Sequence, residues 1–214
     1  MMTKCLLGLL LATVLPLSAQ EVKKIAITAD SWAEGAPPEE VFVVDGKIEI
    51  ATKDGNKALV IHPGTELVDA SAQLGDSASG SASIQARVFA SKRGRSVPRF
   101  GVSAHGLSGY RVYVSPAKKQ LELMKGDQTI ASVPFTWTSD TWVMMKLEVK
   151  KSGDSWTITG SAWPATDAAP AEPMLKHEDK ALKGQGKCAV WATPYSGTPV
   201  FFDDVTIEVE IAAK

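Results

Sequence analysis

Beyond residue 20 the chain alternates with a period of two. Residues 83–90 set Ile84, Ala86 and Val88 against Gln85, Arg87 and Phe89, and residues 99–105 set Phe100, Val102 and Ala104 against Arg99, Ser103 and His105. Residues 142–150 place Val143, Met145, Leu147 and Val149 on one side and Trp142, Met144, Lys146, Glu148 and Lys150 on the other. Successive side chains of a strand leave opposite faces, so this pattern predicts strands with one apolar and one mixed face. Shorter runs at 47–52, 58–62, 110–114, 120–124, 128–133, 156–163, 187–193 and 200–211 follow the same rule. Lys53-Asp54-Gly55-Asn56-Lys57 and Ser152-Gly153-Asp154 are hairpin turns between runs, and Val44-Asp45-Gly46 is another.

About a dozen short strands with Gly, Pro and Asp turns predict an antiparallel all-β sandwich or barrel. Two stretches break the alternation: 29–40, around Gly35-Ala36-Pro37-Pro38, and 164–186, rich in Ala and Pro and carrying Lys176, Glu178, Asp179 and Lys180. Both read as surface loops, the second with room for one helical turn. Strands continue on either side of each, which predicts one domain over residues 20–214.

The start of the chain is of another kind. Lys4 is the only charge before Glu21, residues 6–15 form an apolar run, and Leu17-Ser18-Ala19 follows Pro16. These are the parts of a secretory signal peptide over residues 1–19, which predicts export to the periplasm or outside the cell. The run is too short to span a bilayer as a helix. Cys5 would leave with the leader, and Cys188, in an alternating run, reads as a small buried hydrophobe.

Composition narrows the function classes. The chain has 214 residues, 23 basic and 24 acidic, with 44% hydrophobic residues. That balance gives no general pull toward phosphate backbones or anionic lipid. Lys92-Arg93-Gly94-Arg95, with Arg99 beyond, is a short basic turn without the aromatic interleaving of a nucleic-acid surface. No glycine-rich phosphate loop stands between a strand and a helix.

In the second half, Gly109-Tyr110-Arg111-Val112-Tyr113-Val114, Leu121-Glu122-Leu123 and Phe135-Thr136-Trp137 precede a tryptophan-led strand, Thr141-Trp142-Val143-Met144-Met145-Lys146-Leu147-Glu148-Val149. Ile158-Thr159-Gly160-Ser161-Ala162-Trp163, Glu172-Pro173, Gly186-Lys187-Cys188-Ala189-Val190-Trp191 and a closing Phe202-Asp203-Asp204-Val205 follow. This order, over about residues 80–210, resembles the concanavalin A-like lectin/glucanase superfamily, including laminin-G-like modules of exported bacterial proteins. The resemblance implies an antiparallel two-sheet jelly-roll sandwich of concanavalin A-like type. Such sandwiches host lectins, hydrolases and adhesive modules, so function has to be argued from a site.

Glycoside hydrolysis needs two carboxylates flanking one bond. Glucanases of the superfamily carry Glu-x-Asp-x-x-Glu on one strand, and this chain has no such run. Glu66 and Asp69 stand three apart, Glu178-Asp179 falls in the charged loop, and Glu148 is alone among lysines. If Phe201, Val205, Ile207 and Val209 face the core, alternation turns Asp203 inward as well. A buried carboxylate must be paired, hydrogen-bonded or metal-bound. The resemblance implies a structural calcium at Asp203 held with loop carbonyls; calcium needs several more oxygens, for which Asp30 and Glu34 in the early loop are candidates, and the other reading is an aspartate accepting backbone N–H groups at a bulge. His62, His105 and His177 lack the spacing of a metal set.

Recognition of a polysaccharide needs a concave, partly polar sheet face with aromatic rings and forked donors. Gln85, Arg87, Arg99, His105, Arg111, Tyr113 and Trp191 supply one, with Arg87, Arg111, Tyr113 and Trp191 at its centre. The expectation is a non-catalytic glycan-binding module. The alternatives are a structural or protein-binding module of the cell envelope and a divergent glycoside hydrolase. A shared hollow lined by Arg87, Arg111 and Tyr113 would favour binding, and a face covered by the 164–186 loop would favour the structural reading.

Overall fold

The computed structural model of the chain describes residues 21–65, 69–182 and 185–211. The leader expected at 1–19 and Glu66 lie outside these residues. The described chain begins with β1 (Glu21–Ile27), a 3₁₀ turn at Ala29–Ser31, β2 (Phe42–Asp45), β3 (Ile48–Lys53), β4 (Asn56–Ile61) and β5 (Ala70–Ala78). It continues through β6 (Ala82–Ala90), β7 (Arg99–Ala104), β8 (Tyr110–Ser115), β9 (Gln120–Lys125) and β10 (Gln128–Pro134). Then come β11 (Thr141–Ser152), β12 (Ser155–Pro164), β13 (Leu175–Asp179), β14 (Gly186–Thr193) and β15 (Val200–Ile211). Among the described residues no helix is long and apolar enough to cross a membrane.

The strands form two antiparallel sheets. The eight-stranded sheet runs β13-β12-β11-β6-β15-β4-β3, with β1 also paired to β15, and the seven-stranded sheet runs β10-β9-β8-β7-β14-β5-β2. Their facing sides interleave as one core, since alternation gives each strand an apolar side to hide. The eight-stranded sheet contributes Ile84, Val88, Met145, Leu147, Phe202 and Ile207, and the other Leu74, Phe100, Val102, Val112, Leu121 and Val190. Gly160 on β12 lets the sheets approach closely, because a Cβ there would stand 2.4 Å from Val112 Cγ2. Cys188 lies in this interior as expected, and burial pushes its thiol up to about 12, so it stays protonated.

Four strands were not legible as strands. β5 is mostly Ala, Ser, Gly and Asp, poor strand formers that pairing with β14 and β2 overrides. β1 and β13 lie at sheet margins, where charges replace the apolar alternation, and β2 is a four-residue end strand whose Phe42, Val43 and Val44 run on without alternation. β13 therefore corrects the reading of 164–186 as loop throughout. Ahead of β13, Ala169, Pro170, Ala171 and Pro173 of that stretch border a hollow with Gln85, Lys146 and Trp163 of the eight-stranded sheet.

β15 carries the second correction. Asp203 pairs with Arg87, but Thr206 pairs with Gln85, so one extra residue bulges out at Asp204, whose φ is 49°. The bulge lets both Phe202 and Val205 face the core. Phe201 consequently faces outward against Phe89, with ring centroids 6.1 Å apart. Asp203 turns to the outer face beside Arg87 rather than inward.

A polar strap ties the two sheets together at one end. Tyr110 Oη on β8 donates to Asp179 Oδ2 on β13 at 2.7 Å, and Lys125 Nζ on β9 reaches the same oxygen at 2.5 Å. Burial works against the Asp179 charge, but Lys125, the Ala181 N–H and Tyr110 outweigh it and hold the carboxyl at about 2. A depressed carboxyl stabilises the fold fully above its unfolded value of about 3.9 and loses that contribution as pH falls toward the folded value. Asp179→Asn is therefore expected to be less stable than the parent at neutral pH, with the gap closing between pH 4 and about 2. Thermal unfolding of both proteins across that range checks this; a gap independent of pH would show that the strap carries no charge coupling.

Candidate functional site

The outward positions of the seven-stranded sheet line up across its strands. One row reads Asp45, Ser71, Trp191, Gly101, Tyr113, Glu122 and Ser132 from β2 to β10. The neighbouring row reads Phe42, Gln73, Ala189, Ser103, Arg111, Met124 and Thr129. Together they divide the face into a closed half and an open half.

The closed half is a small second core. Trp191 and Tyr113 meet edge to face, with centroids 5.1 Å apart and planes at 70°. They can meet because Gly101 stands between them; a Cβ there would lie 2.6 Å from Tyr113 Cβ. Met124 completes the cluster, and Trp191 and Tyr113 are each only 2% exposed. Two guanidiniums cover the rings, Arg99 at 4.3 Å from the Tyr113 centroid and Arg111 at 5.0 Å from that of Trp191. Arg99 also donates to the Tyr113 hydroxyl. Burial pushes the Tyr113 phenol up to about 12 against the pull of Arg99, with the Glu122 carboxylate beside it adding to the rise. The phenol is thus neutral at physiological pH. Glu122 is itself buried and takes Lys118 Nζ at 2.8 Å.

The open half is a groove of about 280 Å³. Its floor is Trp191 and Ala189, its polar wall Asp45, Asp69, Ser71, Gln73, Ser103 and Arg111, and its rim Val44 and Leu107. Arg111 is held in place by Asp69 Oδ2 at 3.4 Å and the Gly126 carbonyl at 3.2 Å. Thr193 donates to the other Asp69 oxygen. The groove thus presents fixed acceptors, a fixed forked donor and an amide and hydroxyls that do both, over an apolar floor.

The structure sorts the residues read from the sequence. Arg111 and Trp191 lie in the groove, while Tyr113 and Arg99 belong to the packed half beside it. Buried as they are, Trp191 and Tyr113 offer no ring face for stacking. His105 is not on the face at all: β7 ends at Ala104, and at φ 63° the histidine swings inward, 1% exposed, with its ring centroid 5.3 Å from that of Trp156. Arg87 is on the other sheet, as is Gln85, so no hollow is shared by Arg87 and Arg111. Arg87 Nη2 meets Asp203 Oδ2 at 2.6 Å, its Nε lies 3.1 Å from Asp204, and its guanidinium stacks 4.4 Å from the Trp142 ring.

The same contacts engage both oxygens of Asp203, the residue expected to hold calcium. One of its oxygens takes Arg87 and the other accepts the Asp204 N–H at 2.8 Å, the bulge arrangement that was the other reading. A cation would have to displace a guanidinium. Asp30 accepts from Thr28 and the Lys57 N–H, and Glu34 accepts from Thr52. Among the described residues no group of three or more His, Cys, Asp or Glu is placed to hold a metal ion.

The sequence reading missed Asp45, Asp69, Ser71, Gln73, Ser103 and Leu107 as a set. Their common signal was the alternation of Ser71 and Gln73 against Ala70, Ala72 and Leu74, hidden by small residues.

No family model and no curated protein matches the chain. Solved structures do match. Carbohydrate binding module CBM66 from Bacillus subtilis is 13% identical, with a TM-score of 0.55 over 79% of this chain and 95% of that one. Peanut lectin is 9% identical, with a TM-score of 0.56 over 90% of this chain and all of the lectin. The fold is the concanavalin A-like jelly roll. A sialidase matches too, at 8% identity and a TM-score of 0.57, but over only 18% of its own length. On this jelly roll the Trp191 floor depends on its arginine cover. Arg111→Ala is expected to expose the indole and increase acrylamide quenching of tryptophan fluorescence. The increase should vanish in a Trp191→Phe background; if it persists there, Arg111 does not cover Trp191.

Proposed function

We propose that the chain is an exported, non-catalytic carbohydrate-binding module whose site is the groove on the outer face of the seven-stranded sheet. The observation that carries this is the convergence of Asp45, Asp69, Ser71, Gln73, Ser103 and Arg111 over one apolar floor. Sugars present hydroxyls that both donate and accept, together with apolar C–H faces. A wall of fixed carboxylates, a guanidinium and an amide answers the first, and the exposed apolar rim of Val44 and Leu107 answers the second. Much of the wall is already oriented, which lowers the ordering cost of binding. A carbohydrate-binding module and a lectin share the fold, which agrees with this assignment.

A binder suits the carboxylates better than a hydrolase does. Both Asp69 oxygens are engaged, by Arg111 and Thr193, and Asp45 accepts the Gly46 N–H at 2.7 Å. These are acceptors held in place, whereas a general acid needs an apolar setting that keeps its proton.

Affinity electrophoresis on a panel of neutral and acidic polysaccharides tests the assignment. Retention is expected on at least one neutral polymer. Arg111→Ala and Asp69→Asn should each weaken it by about tenfold, the effect of losing a hydrogen bond to a charged group. Gel migration unchanged by every polymer would overturn the reading, and so would release of reducing ends by the purified protein.

Export is proposed on the leader at 1–19. Expression in a bacterial host should yield a mature protein beginning at Gln20, read by N-terminal sequencing of the exported fraction. Retention of the full-length chain inside the cell would count against it.

A further inference from the structure

Resting on the glycan-binding reading above, we propose that Phe42 is the outer stacking platform of the groove, and that the site takes an internal stretch of an uncharged polysaccharide. Phe42 is 59% exposed, whereas Trp191 and Tyr113, the large aromatics in the middle of the same face, are each 2% exposed. It stands in one cross-strand row with Gln73, Ala189, Ser103 and Arg111. From β8 to β2 that row crosses four interstrand steps, a span of about 19 Å at the usual strand spacing of about 4.8 Å. The span suits several sugar rings laid end to end.

The groove has polar groups in the middle and apolar groups at its outer edge. Leu107 is 74% exposed and Val44 36%, both at the rim; Phe42 lies outside the residues that line the groove, two positions before Val44 on β2 and opposite the lining residue Gln73. A sugar ring leaving the polar wall therefore meets an accessible aromatic face, the partner its C–H side needs. Among the described residues β2 is the last strand of the sheet order and no further strand walls off this end, so a chain can run on past it. A site for a chain terminus would need such a wall.

Charge narrows the polymer. Asp45 and Asp69 face the groove with Arg111 as the cation among its lining residues, and that guanidinium is already shared by Asp69 and the Gly126 carbonyl. Among the described lining residues a uronate or sulfate would meet two carboxylates against one arginine that is already paired with Asp69, whereas neutral hydroxyls would find acceptors.

The test uses isothermal titration of the full mature chain, with oligosaccharides of the neutral polymer that retains it in affinity electrophoresis. The probes are the disaccharide and hexasaccharide of that sugar, with polygalacturonate and alginate as acidic probes. The hexasaccharide is expected to bind roughly tenfold more tightly than the disaccharide, and the acidic polymers not to bind. Phe42→Ser should weaken the hexasaccharide by about three- to tenfold, the value of one aromatic contact, and leave the disaccharide unchanged. Phe42→Trp should restore or improve it. Equal hexasaccharide affinity for parent and Phe42→Ser, or binding of polygalacturonate, would overturn the proposal while leaving the glycan reading intact. Sedimentation would overturn it differently, if Phe42→Ser dissolved a dimer without changing sugar affinity, because the edge would then belong to a second copy. Absence of binding to any neutral probe would defeat the underlying reading itself.

Discussion

Alternation is the constraint from which the site follows. A strand sends half its side chains to each face, and only one face of each sheet can join the shared interior. The other half must be satisfied on the outside. The eight-stranded sheet does so with Phe89, Trp142 and Phe201 stacked together under Arg87 and Lys53. The seven-stranded sheet does so over only half its width, where Trp191, Tyr113 and Met124 close under Arg99 and Arg111. Where that second cluster ends, the groove begins. Arg111 stands on the boundary, lid to the indole on one side and donor to the groove on the other.

A floor of this kind has consequences for recognition. Trp191 is pinned from the side by Tyr113 and from above by Arg111, so the base of the groove is rigid. Arginine is suited to the boundary because its planar head can stack on a ring and still present N–H groups in its own plane. A lysine in the same place would offer a point charge and no flat cover.

The strands of the second half were legible because Val, Ile, Leu and the aromatics mark every other position, as at 142–150. β5 was not, because Ala72 and Leu74 alternate with Ser71 and Gln73 in a run too small and polar to announce itself. Losing β5 and β2 meant losing the wall of the site, since Asp45, Ser71 and Gln73 stand on them. The rest of the candidate face failed for two backbone reasons. A positive φ at His105 and an extra residue at Asp204 each break the period of two, and a break reverses every facing inferred across it. Arg87 failed for a third: alternation tells which face a residue takes within its own sheet, but not which sheet it joins.

That last point explains why the site has no local motif. Phe42 and Asp45, Ser71 and Gln73, Ser103, Arg111, and Trp191 come from β2, β5, β7, β8 and β14, and only the order β8-β7-β14-β5-β2 makes them neighbours. Each cross-strand row takes one residue from each strand, so neighbours along the groove come from segments far apart in sequence. The closed cluster around Gly101 is tightly packed. There, one added methyl group would collide with Tyr113 and, through it, unsettle the Trp191 floor. Packing thus fixes the centre of the face, while the positions toward β2 carry little core and are free to determine what the groove accepts.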